Sequence, residues 1–138
     1  MGAYKYIQAA FEKSFAERTD SFRSRLQKFR KEKTVERAEK PTNPGRARAL
    51  GYKARKDFVI ARVRIKRGKR SRGKPDQGRK PGRNRKFVNP GLSLQAYCEA
   101  KVKRRFPNLT VINSYLVGQD GADKYFEVIL QDRHMRMG

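Results

Sequence analysis

The stretch LTVINSYLVGQDGADKYFEVIL, residues 109–130, predicts two β-strands joined by a short connection. Residues 109–117 and 124–130 are rich in β-branched and aromatic side chains, which favour strands. The connection, residues 118–123, contains Asp120-Gly121, a dipeptide typical of hairpin turns. We therefore expect the two strands to form a hairpin.

A third strand, Phe58–Lys66, is predicted from the alternation of residue types in FVIARVRIK. The face that we expect to contact a hydrophobic core consists of Val59, Ala61, Val63 and Ile65. The opposite face begins apolar and becomes cationic toward the end of the strand. A short fourth strand is expected within residues 34–40, ended by Pro41.

Residues 3–33 are predicted to be helical, because apolar side chains recur there at helical spacings. The stripe consists of Tyr4, Ile7, Phe11, Phe15, Phe22, Leu26 and Phe29. We interpret it as a core-packing face in preference to a surface that stacks on nucleic-acid bases. The good capping residues at 19–21 are expected to divide the segment into two helices. A short helix or turn is expected over residues 43–50, ended by Gly51.

A further helix, Leu94–Arg105, is predicted with Ser93 as its N-cap. Cys98 lies on the apolar stripe of this helix and is expected to be a small buried hydrophobic residue. Cations crowd the C-terminal end of the helix, where the helix dipole favours them. Helices combined with a largely antiparallel sheet predict a small α+β domain.

The predicted organisation has three parts: a helical segment at 1–33, the α+β domain at 34–132 and a short tail at 133–138. Within the domain, residues 66–86 form a loop with eleven Lys or Arg, one acid (Asp76) and no apolar side chain. Such a loop cannot offset its ordering entropy by burial, so we expect it to order only on a polyanionic partner.

The 138-residue chain carries 36 Lys or Arg against 13 Asp or Glu, a net charge of +23. Self-repulsion at this charge destabilises a compact state, which implies nucleic acid or an anionic membrane as a partner. A membrane is disfavoured, because no apolar run approaches the ~20 residues that span a bilayer and the N-terminus lacks the apolar core of a signal peptide. We therefore expect a cytoplasmic protein that binds nucleic acid. Residues 109–132 hold four acids and one cation, so the basic surface is expected elsewhere.

Catalytic and metal-binding chemistry is not indicated. Cys98 and His134 are each single in the chain, which is too few for a disulfide or a metal cluster. Residues 68–74 fit G-x-x-x-x-G-K, but Pro75 stands where a phosphate-binding loop needs Ser or Thr. We therefore expect no enzyme activity, no cofactor and no small-molecule substrate.

RNA is favoured over DNA as the partner. The sequence shows no helix-turn-helix, zinc-finger or basic-zipper pattern, and no aromatic RNP motif. A globular domain with a long Gly/Arg/Lys loop suits a folded RNA, whose crowded helices need cations between them. Arginine side chains in such a loop can bind phosphates bidentately or stack on unpaired bases.

Six motifs stand out along the chain: MGAYKYIQ at 1–8, Pro41-Thr42, ALGYKA at 49–54, FVIARVRIKRG at 58–68, FPNL followed by VINSYLVGQDG at 106–121, and KYFEVIL at 124–130. Together they resemble the large-subunit ribosomal protein family L-fifteen-e of archaea and eukaryotes. The resemblance covers about residues 1–132. Two departures are visible: Leu116 stands where many members carry Trp, and members usually continue beyond the position of Gly138 with a further basic segment. Contacts made by that segment cannot be carried over to this chain.

The resemblance implies an α+β domain embedded in 23S-type rRNA of the large ribosomal subunit, with a structural role and with other large-subunit proteins as neighbours. By the same resemblance, the expected RNA ligands are Lys53, Arg55, Arg62, Arg64, Lys66, Arg67, Lys69, Arg70, Arg72, Lys74, Arg79, Lys80, Arg83, Arg85 and Lys86. The alternative hypothesis is a free nucleic-acid chaperone or compacting protein, which would bind duplex DNA and RNA alike.

Overall fold

The computed structural model describes residues 2–68, 70–82, 87–89 and 91–137. In chain order the elements are α1 (Gly2–Glu17), α2 (Asp20–Lys31), β1 (Val35–Ala38), α3 (Pro44–Ala49), β2 (Phe58–Lys66), β3 (Arg70–Ser71), β4 (Phe87–Val88), α4 (Leu94–Arg105), β5 (Thr110–Gln119), β6 (Asp123–Gln131) and a 3-10 helix (His134–Met137). This mixture of helices and an antiparallel sheet confirms the predicted α+β class. The 3-10 helix lies in the segment that was predicted only as a tail.

The main sheet has the strand order β1-β2-β6-β5, and each neighbouring pair is antiparallel. The predicted hairpin is confirmed as β5 and β6, and the predicted strand at 58–66 coincides with β2. Strand β5 lies at one edge of this sheet and contains two register shifts, between Val111 and Asn113 and between Leu116 and Gly118. Strand β1 forms the other edge and is shorter than the predicted strand at 34–40.

Two hydrophobic cores lie on opposite faces of the sheet. On the first face, α2 contributes Phe22, Leu26 and Phe29, which pack on the sheet residues Ile60, Tyr115, Val117, Tyr125 and Ile129. On the second face, α4 contributes Cys98 and Val102, which pack on Ala61, Val63, Phe126, Val128 and Leu130. The prediction that one face of β2 contacts a core is therefore confirmed, and the apolar start of the opposite face contacts the other core.

The break between α1 and α2 is confirmed at its predicted place. The hydroxyl of Thr19 accepts a hydrogen bond from the backbone N–H of Phe22, with 3.4 Å between the two atoms. Arg18, just before the cap, has φ of 51°, a left-handed conformation that ends α1. Two helices thus replace one long helix and can pack on different partners.

The aromatic stripe of residues 3–33 is only partly a core face. Phe22, Leu26 and Phe29 are buried, and Phe11 and Phe15 are half-buried. The core-packing prediction is wrong for Tyr4 and Ile7, which are 40% and 41% exposed. The first turns of α1 contact the short helix α3 instead of the sheet, so one side of those turns is left without a cover.

Helix α4 begins as predicted, with the hydroxyl of Ser93 accepting a hydrogen bond from the backbone N–H of Ala96 at 3.2 Å. Cys98 is completely buried, which confirms its predicted role as a small hydrophobic residue. Burial raises the pKa of its thiol to about 12, against the weaker lowering effect of the nearby Lys101.

Within the described residues, no helix is long and apolar enough to cross a bilayer. The same residues contain no group of three or more His, Cys, Asp or Glu that could hold a metal ion.

Candidate nucleic-acid interface

A cleft of about 750 Å³ lies between the end of β2 and the N-terminal half of α4. Its lining is Thr34, Arg64, Ile65, Lys66, Arg67, Gly68, Leu94, Tyr97, Lys101 and Asp123. Four of these residues are cations and one is an acid. The cleft therefore concentrates positive charge where the strand passes into the basic loop.

Two arginines of the cleft are anchored by backbone carbonyls. Arg64 donates from Nη1 to the carbonyl of Arg30 at 2.8 Å. Arg67 donates from Nη1 to the carbonyl of Asp120 at 2.7 Å. A guanidinium group carries five N–H donors, so each anchored side chain keeps further donors that could bind phosphate oxygens.

The two lysines of the cleft are exposed, and neither forms an ion pair with another residue that the structure describes. Lys66 lies at the end of β2, and Lys101 lies on α4. Sequence reasoning placed Lys66 in the interface but missed Lys101. Only the cation-rich end of the helix indicated Lys101, and the sequence could not show that α4 packs beside β2.

The turn between β5 and β6 holds one arginine of the cleft in place. The carboxylate of Asp120 accepts hydrogen bonds from the backbone N–H groups of Ala122 at 3.1 Å and Asp123 at 2.8 Å. It also accepts from Arg30 Nε at 3.2 Å and from the Tyr125 hydroxyl at 3.0 Å. Burial alone would raise the pKa of Asp120, but these four hydrogen bonds outweigh it and hold the pKa below its usual value. The turn is thus fixed at the point where its carbonyl holds Arg67.

The basic loop continues from the cleft at Gly68, whose φ of 95° suits glycine. Strands β3 and β4 pair antiparallel and bring the two ends of the loop together. Between them, the predicted ligands Arg72, Lys74, Arg79 and Lys80 are exposed, as is Asp76. Of the other predicted ligands in this loop, Lys69, Arg83, Arg85 and Lys86 lie outside the described residues, as does the side chain of Arg70.

Lys53 and Arg55 lie at the opposite end of β2 from the cleft. Lys53 is exposed, and Arg55 forms an ion pair with Asp57 at 3.1 Å and lies over the Phe58 ring at 5.4 Å. The nine-residue strand Phe58–Lys66 separates the two locations, which corresponds to roughly 26 Å at the usual rise per residue. Among the predicted ligands that the structure describes, Lys53 and Arg55 therefore lie apart from those at the cleft.

Arg62 differs from the other predicted ligands because it points into the domain. Its side chain is only 12% exposed. Nη1 lies 2.9 Å from Glu32, Nη2 lies 3.1 Å from Glu127, and the guanidinium lies 4.1 Å from the centre of the Phe29 ring. Nη1 and Nη2 donate to protein groups, and Nε is buried without a partner among the described residues. Since little of this side chain faces solvent for a phosphate, we leave Arg62 out of the interface that we propose below.

Glu127 is the buried acid that pairs with Arg62, and sequence reasoning did not predict this buried role. It is fully buried and accepts hydrogen bonds from the backbone N–H of Thr42 at 3.0 Å and from the hydroxyls of Thr42 and Tyr115. Burial and the neighbouring Glu127 carboxylate both raise the pKa of Tyr115, which keeps that hydroxyl a donor. The position of Glu127 between Phe126 and Val128, inside the otherwise apolar run of residues 125–130, was the signal that could have revealed it.

Comparison with known proteins gives one family. The family model described as Ribosomal L15 matches residues 2–137. The large ribosomal subunit protein eL15 of Metallosphaera sedula is 42% identical to this chain over 133 residues, which is 96% of this chain and 61% of that protein. The chain thus spans 61% of the length of this curated relative.

Proposed function

Since the chain belongs to the ribosomal L15e family, we propose that it is a structural, non-catalytic component of the large ribosomal subunit in the cytoplasm. In this proposal it binds large-subunit rRNA through the cleft beside β2 and through the basic loop. Other large-subunit proteins are its expected neighbours.

The observation that carries the proposal is the cluster of four cations around one cleft, Arg64, Lys66, Arg67 and Lys101. Like charges that line one cleft repel each other in the free protein, and a phosphate backbone relieves that repulsion. Lysine and arginine that neutralise phosphates also release condensed counterions, which supplies much of the binding free energy. The cleft is therefore suited to an RNA backbone.

We propose that the basic loop, residues 66–86, orders on the same RNA. Its exposed cations continue the charge of the cleft, and no apolar side chain competes for burial in the protein. The RNA-binding roles of Lys69, Arg70, Arg83, Arg85 and Lys86 remain predictions of this proposal. RNA binding is thereby assigned to the segment 34–132, with α2 of the segment 1–33 covering one face of its sheet. Lys53 and Arg55 would make a separate contact at the far end of β2.

The test is the salt dependence of binding to a structured rRNA fragment. Affinity falls as salt rises, and each phosphate that a variant no longer neutralises should make the slope of log affinity against log salt less steep by roughly 0.7 to 0.9. We expect the double variant Lys66→Ala, Lys101→Ala to make this slope less steep by roughly 1.4 to 1.8. The matched control is Lys13→Ala, which removes an exposed lysine on α1 that does not line the cleft. Equal slopes for the double variant and the unmodified chain would overturn the assignment of the cleft.

A competition experiment distinguishes the proposed ribosomal role from the alternative, a general nucleic-acid chaperone. Structured rRNA and duplex DNA of equal charge compete for the chain at one fixed salt concentration. A clear preference for the rRNA supports the ribosomal role, whereas equal affinity supports the chaperone.

A further inference from the structure

A second groove, of about 600 Å³, lies between α1 and α3 and has no part in the cleft described above. It is lined by Tyr4, Lys5, Gln8, Ala9, Glu12, Gly45, Arg48 and Ala49. Its volume falls within the range of small-molecule and nucleotide pockets. The groove contains Tyr4, a residue of the apolar stripe that was predicted to be buried but is exposed.

The floor of the groove is preformed by a close approach of the two helices. A Cβ atom on Gly45 would lie 2.9 Å from the carbonyl oxygen of Tyr4 and 3.1 Å from the Cβ of Gln8. The start of α3 is fixed by Asn43, whose side-chain oxygen accepts from the backbone N–H of Arg46 at 3.3 Å. A ligand would therefore meet a shape that already exists, which reduces the ordering cost of binding.

One wall of the groove is formed by two planar groups in cation–π contact. The guanidinium of Arg48 lies 4.8 Å from the centre of the Tyr4 ring. Arg48 is exposed and Tyr4 is 40% exposed, so planar surface remains open beside the pair. Aromatic rings and arginine planes are the surfaces on which proteins stack unpaired RNA bases.

The charged groups of the groove divide into two kinds. Lys5 and Arg48 are exposed cations suited to a phosphate. Glu12 accepts a hydrogen bond from the Gln8 amide at 3.0 Å through one oxygen, and its other oxygen accepts none from a described residue. A carboxylate repels phosphate and accepts from N–H donors, so it suits the edge of a base that carries an amino group. Adenine, cytosine and guanine carry such a group, and uracil does not.

We propose that the groove between α1 and α3 binds one unpaired RNA nucleotide, with its base stacked on Tyr4 and Arg48, its amino edge at Glu12 and its phosphate at Lys5. This site rests on the proposed function, that the chain binds rRNA, and adds a second contact of different chemistry. An apolar protein segment is the competing occupant. The two cations of the groove and the net charge of +23 favour RNA.

The experiment compares a fully paired RNA duplex with two duplexes that each add one bulged nucleotide, an adenosine or a uridine. At fixed salt, the chain should bind the duplex with a bulged adenosine roughly tenfold more tightly than the fully paired duplex, as expected for one stacked base. A bulged uridine should gain less than a bulged adenosine. Equal affinity for the bulged and the paired duplex would overturn the proposal, while affinity for both would still support the proposed function.

Variants of the groove make the test specific. Tyr4→Ala and Arg48→Ala should each abolish the preference for the bulge, whereas Tyr4→Phe, which keeps the ring, should retain it. Glu12→Ala should reduce the discrimination against uridine, because the carboxylate that accepts from a base amino group is lost. The matched control is Tyr6→Ala, since Tyr6 is 74% exposed on the same helix but does not line the groove. Lys66→Ala should weaken binding to both duplexes equally.

Two outcomes identify a failure of the site itself. Retention of the bulge preference by Tyr4→Ala would overturn the proposal. If Tyr4→Ala leaves RNA binding unchanged but abolishes association with another large-subunit protein, the occupant is a protein and the proposal is wrong. Far-UV circular dichroism of each variant checks that the fold is kept, which we expect because no residue of α1 is buried.

Discussion

Arg62 and Glu127 form an ion pair inside the domain, with Nη2 of Arg62 3.1 Å from Oε1 of Glu127. The two residues are directly opposite each other on β2 and β6, so their side chains share one face of the sheet. Glu32 and the Phe29 ring complete the surroundings of the guanidinium. The most central cation of the sheet thus serves the fold, while the cations further along β2 remain at the surface.

Removing the buried acid should be strongly destabilising. Glu127→Ala removes the fully buried partner of the Arg62 guanidinium and leaves it only the more exposed Glu32 among its described acidic partners. Breaking a buried ion pair in this way typically costs about 3 to 5 kcal/mol. Urea unfolding of the free chain measures this cost. The matched control is Arg23→Ala, which removes an exposed ion pair with Asp20 and should change the free energy of unfolding little. A similarly small change for Glu127→Ala would contradict the buried-pair assignment.

A side chain at Gly118 should be tolerated poorly. A Cβ atom there would lie 2.8 Å from Cδ2 of Leu26, a side chain that is itself fully buried in the first core. We expect Gly118→Ala to lower the free energy of unfolding by about 1 to 3 kcal/mol, the usual cost of overpacking a core. Gly121→Ala in the adjoining turn is the control, because a Cβ atom at Gly121 meets nothing within 4 Å. Thermal unfolding of the two variants should therefore separate clearly.

The thiol of Cys98 should be unreactive in the folded chain. Burial raises its pKa to about 12, so almost no thiolate is present near neutral pH, and no exposed surface admits a reagent. Alkylation followed by mass spectrometry should show labelling only after denaturant unfolds the protein. Since Cys98 is the single cysteine of the sequence, any labelling reports on this helix alone. Rapid labelling without denaturant would show that α4 does not stay packed on the sheet.

The stabilising effect of Asp120 should disappear in acid. Its pKa is lowered in the folded state, so its contribution is complete above the unfolded-state value of about 3.9 and is lost as the pH falls through the folded-state pKa. Asp120→Asn should therefore be less stable than the unmodified chain at pH 7, and the difference should shrink below about pH 4. Urea unfolding at several pH values measures the difference. Asp76→Asn is the control, since Asp76 is exposed in the loop and forms no side-chain hydrogen bond with a described residue.

The local elements of this fold could be predicted from the sequence, because each has a local physical cause. The alternation of β2, the turn residues Asp120-Gly121 and the caps Thr19 and Ser93 all act over a few residues. Alternation also identified a cationic face on β2. It could not show that α2 covers this face at Arg62 and leaves it open at Lys66, because that difference depends on where a distant helix ends.

The candidate sites show the same division. Charge density predicted the loop as a basic surface. The placement of Lys66 and Lys101 around one cleft depends on the packing of α4 beside β2, which charge density does not show. Helical periodicity placed Tyr4 on the apolar stripe, but it could not show that Tyr4 would contact α3 and stay 40% exposed. The contacts between segments that are distant in the sequence could therefore be identified only from the structure.

The two register shifts in β5 have a consequence for the behaviour of the free chain. An uninterrupted edge strand offers a row of free backbone donors and acceptors on which a second chain can add a strand. In β5 the ladder is irregular between Val111 and Asn113 and again between Leu116 and Gly118. Bulges of this kind twist an edge and interrupt pairing with another chain. The longest strand of the sheet is thereby protected against edge-to-edge aggregation of the free chain.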